Sequence, residues 1–201
     1  MGKVVVFTNV TLDGVMQAPG RPDEDRRRGF QHGGWATPYA AMAEAGGTMA
    51  HAWTLLLGRR TYEDFYNVWP KRKDSPFSAL LDSMQKYVAS RTLKEPLPWM
   101  NSTLLKGDAA EAAARLKEQP GKDIVILGSG ELVRSLIRRN LIDEYILLIH
   151  PLILGSGHRL FADDGVFAAL RLVSIQTSTT GVAITTYRPV ERMAGKNADQ
   201  D

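Results

Sequence analysis

Cysteine is absent from all 201 residues, which removes disulfide scaffolds, thiolate nucleophiles, zinc ribbons and iron–sulfur clusters together. Histidine is scarce, four in all, and none stands in an HExxH or similar paired spacing, so no metal site is expected. Long apolar runs are missing too. No stretch reaches the roughly 18 residues of a membrane-spanning helix, and the apolar part of MGKVVVFTNV is too short for a signal peptide. The expectation is a soluble, cytoplasmic protein with no membrane partner. Neither sign of charge dominates: 25 Lys and Arg stand against 22 Asp and Glu, a net of +3, too mild a balance for a nucleic-acid surface. A Walker A loop does not occur, and Gly128-Ser129-Gly130-Glu131-Leu132-Val133 carries Val where GxGxxG needs its third glycine.

What remains is an ordinary globular composition, 44% hydrophobic and 23% charged. A single compact domain of this length buries about 70% of the surface its unfolded chain exposes. The expected division is one domain over 1–190 and a polar tail over 191–201. Lys3 to Val10 is a β-branched run that reads as a buried strand delivered to the turn Thr11-Leu12-Asp13-Gly14. Residues 17–37, rich in Pro, Gly and charge, form a long loop insertion. Within it, Arg26-Arg27-Arg28 is either a solvated face or an anion site. Pro38 to Ala52 has helical density, and Trp53 to Leu57 is a second buried strand stopped by Gly58. Thr61-Tyr62-Glu63-Asp64 fits a capping box opening a helix that runs to about Trp69-Pro70.

Ser75-Pro76 is the start of a helix reaching Met84, and Lys86 to Ser90 is a third strand. Thr103 to Lys106 is a short strand, Asp108 to Gln119 an Ala-rich helix, and Ile124 to Leu127 a buried strand. A helix with the apolar stripe Leu132, Val133, Leu136 and Ile137 follows Gly128-Ser129-Gly130. Glu144 to Leu154 is a long apolar run. Leu172 to Thr177 and Val182 to Tyr187, joined across Thr180-Gly181, form a terminal antiparallel hairpin. Strands alternating with helices before a closing hairpin indicate an α/β fold with a mixed, mostly parallel central sheet.

In open α/β sheets ligands bind beyond the carboxyl ends of strands. Three of the strands here end in residues suited to phosphate: Gly58-Arg59-Arg60-Thr61, Ser90-Arg91-Thr92 and Gly128-Ser129-Gly130-Glu131. Glycine admits a pyrophosphate close to the backbone, a helix start offers free N–H groups, and arginine forks onto a phosphate monoester. Their recurrence at one kind of junction points to a nucleotide with an extra phosphate, such as NADPH.

Several blocks carry a family resemblance: Thr11-Leu12-Asp13-Gly14-Val15, Gly33-Gly34-Trp35, Leu55 to Glu63, Val88 to Leu93, Val125 to Leu132, and Asp143 to Phe161 with its His150-Pro151-Leu152-Ile153-Leu154-Gly155 segment. Spread in order over residues 3 to 188, they resemble the dihydrofolate reductase-like fold family. Within it they are similar to the reductase domains related to the C-terminal domain of the bacterial riboflavin-biosynthesis deaminase/reductase. The resemblance implies a single-domain, three-layer α-β-α fold with NADPH across the carboxyl edge of the sheet. Gly58, Arg59, Arg60 and Thr61, with Ser90, Arg91 and Thr92, would hold the adenosine side and its 2′-phosphate. Gly128, Ser129, Gly130, Glu131 and Leu132 would cradle the pyrophosphate, and the Thr11 to Val15 turn would border the nicotinamide.

On the substrate side the residues leave alternatives. The resemblance places Asp13 nearest the substrate, as a catalytic or binding group, yet Asp-Gly after a strand is equally a plain turn. His32 and Trp35 form a stacking wall over a planar ring or close a core under the loop. Arg21 or Arg26 to Arg28 would meet a substrate phosphate. His150 and Gly155-Ser156-Gly157 read as structural. The implied activity is NADPH-dependent reduction of a small heterocyclic, imine or carbonyl substrate, nearest to 5-amino-6-(5-phosphoribosylamino)uracil reductase. The zinc-binding HxE and PCxxC of the deaminase half do not occur. The alternatives are a dimeric nucleotide-binding module without turnover, or a dihydrofolate reductase proper, although the expected first helix holds only one acid, Glu44, for a pterin. The apolar run Tyr145 to Leu154 and the terminal hairpin suggest a homodimer.

Overall fold

The computed structural model describes residues 2–41, 53–161 and 167–190. Eight strands form one sheet: β1 (Val4–Thr11), β2 (Trp53–Gly58), β3 (Lys86–Ala89), β4 (Ser102–Leu105), β5 (Asp123–Leu127), β6 (Glu144–His150), β7 (Leu170–Thr177) and β8 (Ala183–Pro189). Their order across the sheet is β4-β3-β2-β5-β1-β6-β8-β7. Every pairing among β1 to β6 is parallel, and β8 runs antiparallel to both β6 and β7. The mostly parallel sheet with a closing antiparallel hairpin is therefore as the sequence indicates.

Side chains of the central strands alternate between two cores, as the pleat requires. Val5 and Phe7 of β1, Val125 and Leu127 of β5, and Ile146 and Leu148 of β6 pack on one face with Tyr62, Leu81 and Trp99. Val4 and Val6, Ile124 and Ile126, and Tyr145 and Leu147 pack on the other with Ala113, Leu132, Val133 and Leu136. Helices α1 (Arg59–Val68) and α2 (Pro76–Ser83) thus cover one face, and α3 (Ala109–Glu118) and α4 (Gly130–Arg138) the other. Both faces of a parallel sheet are buried in this way, which explains the continuous apolar strands.

Some boundaries differ from expectation. The helix α1 begins at Arg59 with Gly58 as its N-cap and without a side-chain cap, so Thr61 lies inside the first turn and does not cap it. Of the helix expected over Pro38 to Ala52, Thr37–Tyr39 is a 3-10 turn, and 42–52 lie outside the described residues, as does the tail 191–201. Strand β6 stops at His150, short of Leu154, because Pro151 has no N–H to continue the ladder.

The loop 17–37 is folded around a third small core of Val15, Ala18, Phe30 and Trp35. Gln17 organises it: Nε2 donates to the carbonyls of Asp25 and Arg27, and Oε1 accepts the His158 N–H. A bidentate bond from Arg21 to Asp64 of α1 ties the loop to the helix.

Lys86 is the unusual core residue, fully buried at the start of β3. Its Nζ donates to the carbonyls of Leu81 at 2.6 Å and Met84 at 2.7 Å and lies 4.6 Å from the centroid of the Trp99 ring. It satisfies the carbonyls that the end of α2 leaves open, although burial lowers its pKa to about 8. Replacing Lys86 by Met removes that donor and should lower unfolding stability by about 2–3 kcal/mol. Urea denaturation of the two proteins measures the difference, and an unchanged midpoint and slope would refute this role.

Candidate functional site

Parallel neighbours deliver their carboxyl ends to one edge of the sheet, so the turns after β3, β2 and β5 lie side by side. The β5-to-α4 turn is a left-handed corner: Gly128 has φ +63°, and Ser129 has φ 57° and ψ 50°. That corner aims the Ser129 hydroxyl at the neighbouring turn. Its Oγ accepts the Gly58 N–H at 3.0 Å and donates to Thr61 Oγ1 at 2.9 Å. One hydroxyl therefore locks the β2 turn to the β5 turn. In the third turn Ser90 Oγ accepts the N–H groups of Thr92 and Leu93, at 3.1 and 3.0 Å.

These turns open on a cavity of about 1430 Å³. Gly58, Arg59, Arg60 and Thr61, Ser90 and Arg91, and Gly128, Ser129, Gly130, Glu131 and Leu132 all line it, joined by Gly107 to Ala109. Thr92 does not; its N–H is used inside the Ser90 turn. A Cβ at Gly130 would lie 2.7 Å from Met16 Sδ, so any side chain there would have to push the Met16 thioether aside. Beyond this glycine-lined half lie Thr8 and Asn9 of β1, Gln17 to Arg21, Glu24, and Asp64, Phe65 and Trp69 from the α1 side.

The cavity guanidinium groups divide into two kinds. Arg21 is bound by Asp64, Arg27 by Asp25, and Arg134 by Glu131. Arg59 sits 4.0 Å from Glu63 on the exposed helix surface. Arg60 and Arg91 have no acidic partner among the described residues and stand at the glycine-lined end. Arg72 lies 5.1 Å from the centroid of the Trp69 ring at the opposite end. Two guanidinium groups without acidic partners thus line the glycine-lined end, and each presents a planar fork of donors, a chemistry suited to an anion.

Asp13 does not line the cavity. Its carboxylate accepts from Thr11 Oγ1 at 2.5 Å and from the backbone N–H groups of Leu154 and Gly155, at 3.2 and 2.9 Å. The Thr11 hydroxyl above all, with those N–H groups, holds it below the usual carboxylate range. Arg159 completes the staple with Nε donating to the Asp13 carbonyl at 2.8 Å. Of the two readings of this residue, the geometry displays the turn. Trp35 is buried in the loop core with Nε1 donating to the Gln17 carbonyl at 2.7 Å, and His32 is exposed, edge-on to Phe30. Neither lines the cavity. Among the described residues no cluster of three or more His, Asp or Glu gathers that would hold a metal.

His150 is buried between the edges of Trp35 and Tyr39, and its Nε2 meets Asn9 Oδ1 at 2.9 Å. The oxygen only accepts, so Nε2 carries the hydrogen. Asn9, Glu24, Asp64 and Arg72 are cavity residues that sequence reasoning missed or left unweighed. Asn9 carried a weak signal, as a polar residue inside a β-branched strand. Glu24 had none, since its surroundings in the sequence are uniformly charged.

The mixed sheet and the glycine-lined cleft at its carboxyl edge define an α/β domain. The chain belongs to the family of the RibD C-terminal domain, whose family model matches residues 2–184. It is 34% identical over 141 residues to the uncharacterized protein YyaP of Bacillus subtilis (strain 168), covering 67% of this chain and 72% of that protein. Its fold is similar to a protein of Shewanella sp. PV-4 provisionally assigned to riboflavin biosynthesis, with TM-score 0.64 and 22% identity over 94% of this chain and 99% of that one. It also resembles the diaminohydroxyphosphoribosylaminopyrimidine deaminase/5-amino-6-(5-phosphoribosylamino)uracil reductase of Thermotoga maritima, with TM-score 0.60 and 16% identity. That match covers 94% of this chain and 57% of the larger enzyme. The likeness to the riboflavin reductase group therefore holds at the level of fold and family.

Burial lowers the pKa of His150 from 6.5 to about 4. The unfolded chain binds the proton more readily, so stability is full above pH 6.5 and falls as pH drops toward 4. Acidification over that window should cost on the order of 2–3 kcal/mol through this residue. His150→Gln should flatten the dependence in urea titrations at several pH values; an equally steep fall in the variant would assign the acid sensitivity elsewhere.

Proposed function

We propose that the chain is an NADPH-dependent reductase that transfers hydride to a small heterocyclic, imine or carbonyl substrate. The nearest named activity is the aminouracil reduction named for the Thermotoga maritima enzyme. The observation that carries this reading is the convergence of the turns after β2, β3 and β5 on one cavity whose glycine-lined end holds Arg60 and Arg91 without acidic partners. The residues fit the cofactor. Gly58, Gly128 and Gly130 leave the floor free of side chains, the start of α4 supplies N–H donors for a pyrophosphate, and the two open guanidinium groups suit a 2′-phosphate.

The dihydronicotinamide, when bound, supplies the hydride. The chain supplies position and a water-poor wall from Phe65 and Trp69. Nothing in the cavity requires a covalent intermediate with the protein.

A panel of dihydrofolate, the aminouracil ribosyl phosphate and simple carbonyl compounds, scored by NADPH consumption, tests turnover. NADPH binding with no consumption across the panel would favour the binding-module alternative. Arg91→Ala or Arg60→Ala should weaken NADPH roughly 10- to 100-fold while changing NADH little; equal losses for both cofactors in fluorescence titrations would reject the 2′-phosphate assignment.

We propose also that the chain works as a homodimer through the β7 edge, which exposes Leu172 at 51% and Ile175 at 58%. Such an apolar edge strand is a hazard unless covered. Ile175→Lys should give a monomer in sedimentation experiments if this edge is the interface, and an unchanged dimer would exclude it.

A further inference from the structure

Hydride transfer to a C=O or C=N bond leaves an electron pair on the heteroatom, and that atom needs a proton. Glu24, Asp25, Asp64, Asp108 and Glu131 bring carboxylates to the cavity. Asp64 is engaged by the fork of Arg21, Asp25 by Arg27 and Glu131 by Arg134. Asp108 caps the start of α3, accepting the Glu111 N–H at 2.9 Å. Glu24 differs from all four. It lies half-buried in the cavity wall, on the loop that Arg21 fastens to α1. Its Oε2 accepts two backbone N–H groups, from Gly20 at 2.7 Å and Arg21 at 3.1 Å, whereas Oε1 has no hydrogen-bond partner among the described residues. An oxygen that accepts two N–H bonds is a poor place for an acidic hydrogen, so the proton of the neutral carboxyl resides on Oε1.

We propose that Glu24 is the proton donor of the reduction, delivering its proton from Oε1 to the substrate heteroatom. This rests on the reductase reading above. The substrate carbon gains hydride from C4 of the dihydronicotinamide, and the C=O or C=N π pair moves to oxygen or nitrogen. That atom forms its new bond to hydrogen as the Glu24 O–H bond breaks. The products are the reduced substrate, the oxidised nicotinamide and a carboxylate held by the Gly20 and Arg21 N–H groups, which water then reprotonates. The charges facing Glu24 are Asp64 on α1 and Arg21 on its own loop. Burial, joined by the charge of Asp64, raises its pKa above the ordinary carboxyl range against the pull of the Gly20 N–H and Arg21.

Two measurements on the full chain test the assignment. The first is turnover of the panel compound that is reduced fastest. Glu24→Gln keeps an acceptor for the two N–H groups and should lower kcat about 10²- to 10⁴-fold, with the NADPH Kd unchanged and the alkaline fall in kcat abolished. Glu24→Asp should restore part of the rate together with that pH limb, and Asp64→Asn should move the limb to lower pH. The second is a ¹³C titration of the Glu24 carboxyl in NADPH-saturated protein, with a midpoint expected above the usual value of about 4.3. A Gln variant within about threefold of wild-type kcat, or a midpoint at or below that value, overturns Glu24 alone. A wild-type chain that binds no NADPH overturns the reductase reading and this proposal with it.

Discussion

One serine hydroxyl sets the geometry of the cavity. Ser129 occupies a left-handed backbone position immediately after Gly128, a conformation that costs energy for a residue with a Cβ. In return its Oγ joins the Gly58 N–H and the Thr61 hydroxyl, so two strand ends meet at a fixed angle without a side chain intruding between them. The glycine-lined floor between the ends of β2 and β5 stands on that corner. A turn built of glycines alone would have the same freedom of approach without the same fixed shape.

The loop after β1 has a different logic. It has few apolar residues, and it is held by polar ties from its first residues: the Gln17 side chain, which bonds within the loop and to His158, and the Arg21–Asp64 pair, which ties it to α1. Its small core of Phe30 and Trp35 sits on Val15 and does not join either main core. The glycine-lined half of the cavity therefore stands on the sheet, while the loop supplies one wall of the far half, together with residues of β1 and α1.

Strands and their terminal turns were legible in the sequence because buried parallel strands are continuous apolar runs bounded by glycine, as at Leu55-Leu56-Leu57-Gly58 and Ile124 to Leu127. The three turns could be recognised for the same reason. Other features depend on distant partners and leave no local trace. Thr61 reads as a helix cap, but its hydroxyl bonds to Ser129, 68 residues away. Asp13 reads as a candidate catalytic acid, but the backbone of Leu154 and Gly155 claims its carboxylate. Glu24 is one charge among many in the sequence, and only the fold shows which of its oxygens is open.

The position of β1 also bears on how the chain is made. It lies inside the sheet, yet its two neighbours are β5 and β6, supplied by residues 123–127 and 144–150. A nascent polypeptide emerging from the ribosome therefore carries its first strand without a partner until β5 has been synthesised, and without its second partner until about three quarters of the sequence has been made. High contact order of this kind slows folding and lengthens the exposure of sticky segments. Truncation anywhere before residue 150 leaves that strand without one of its two partners.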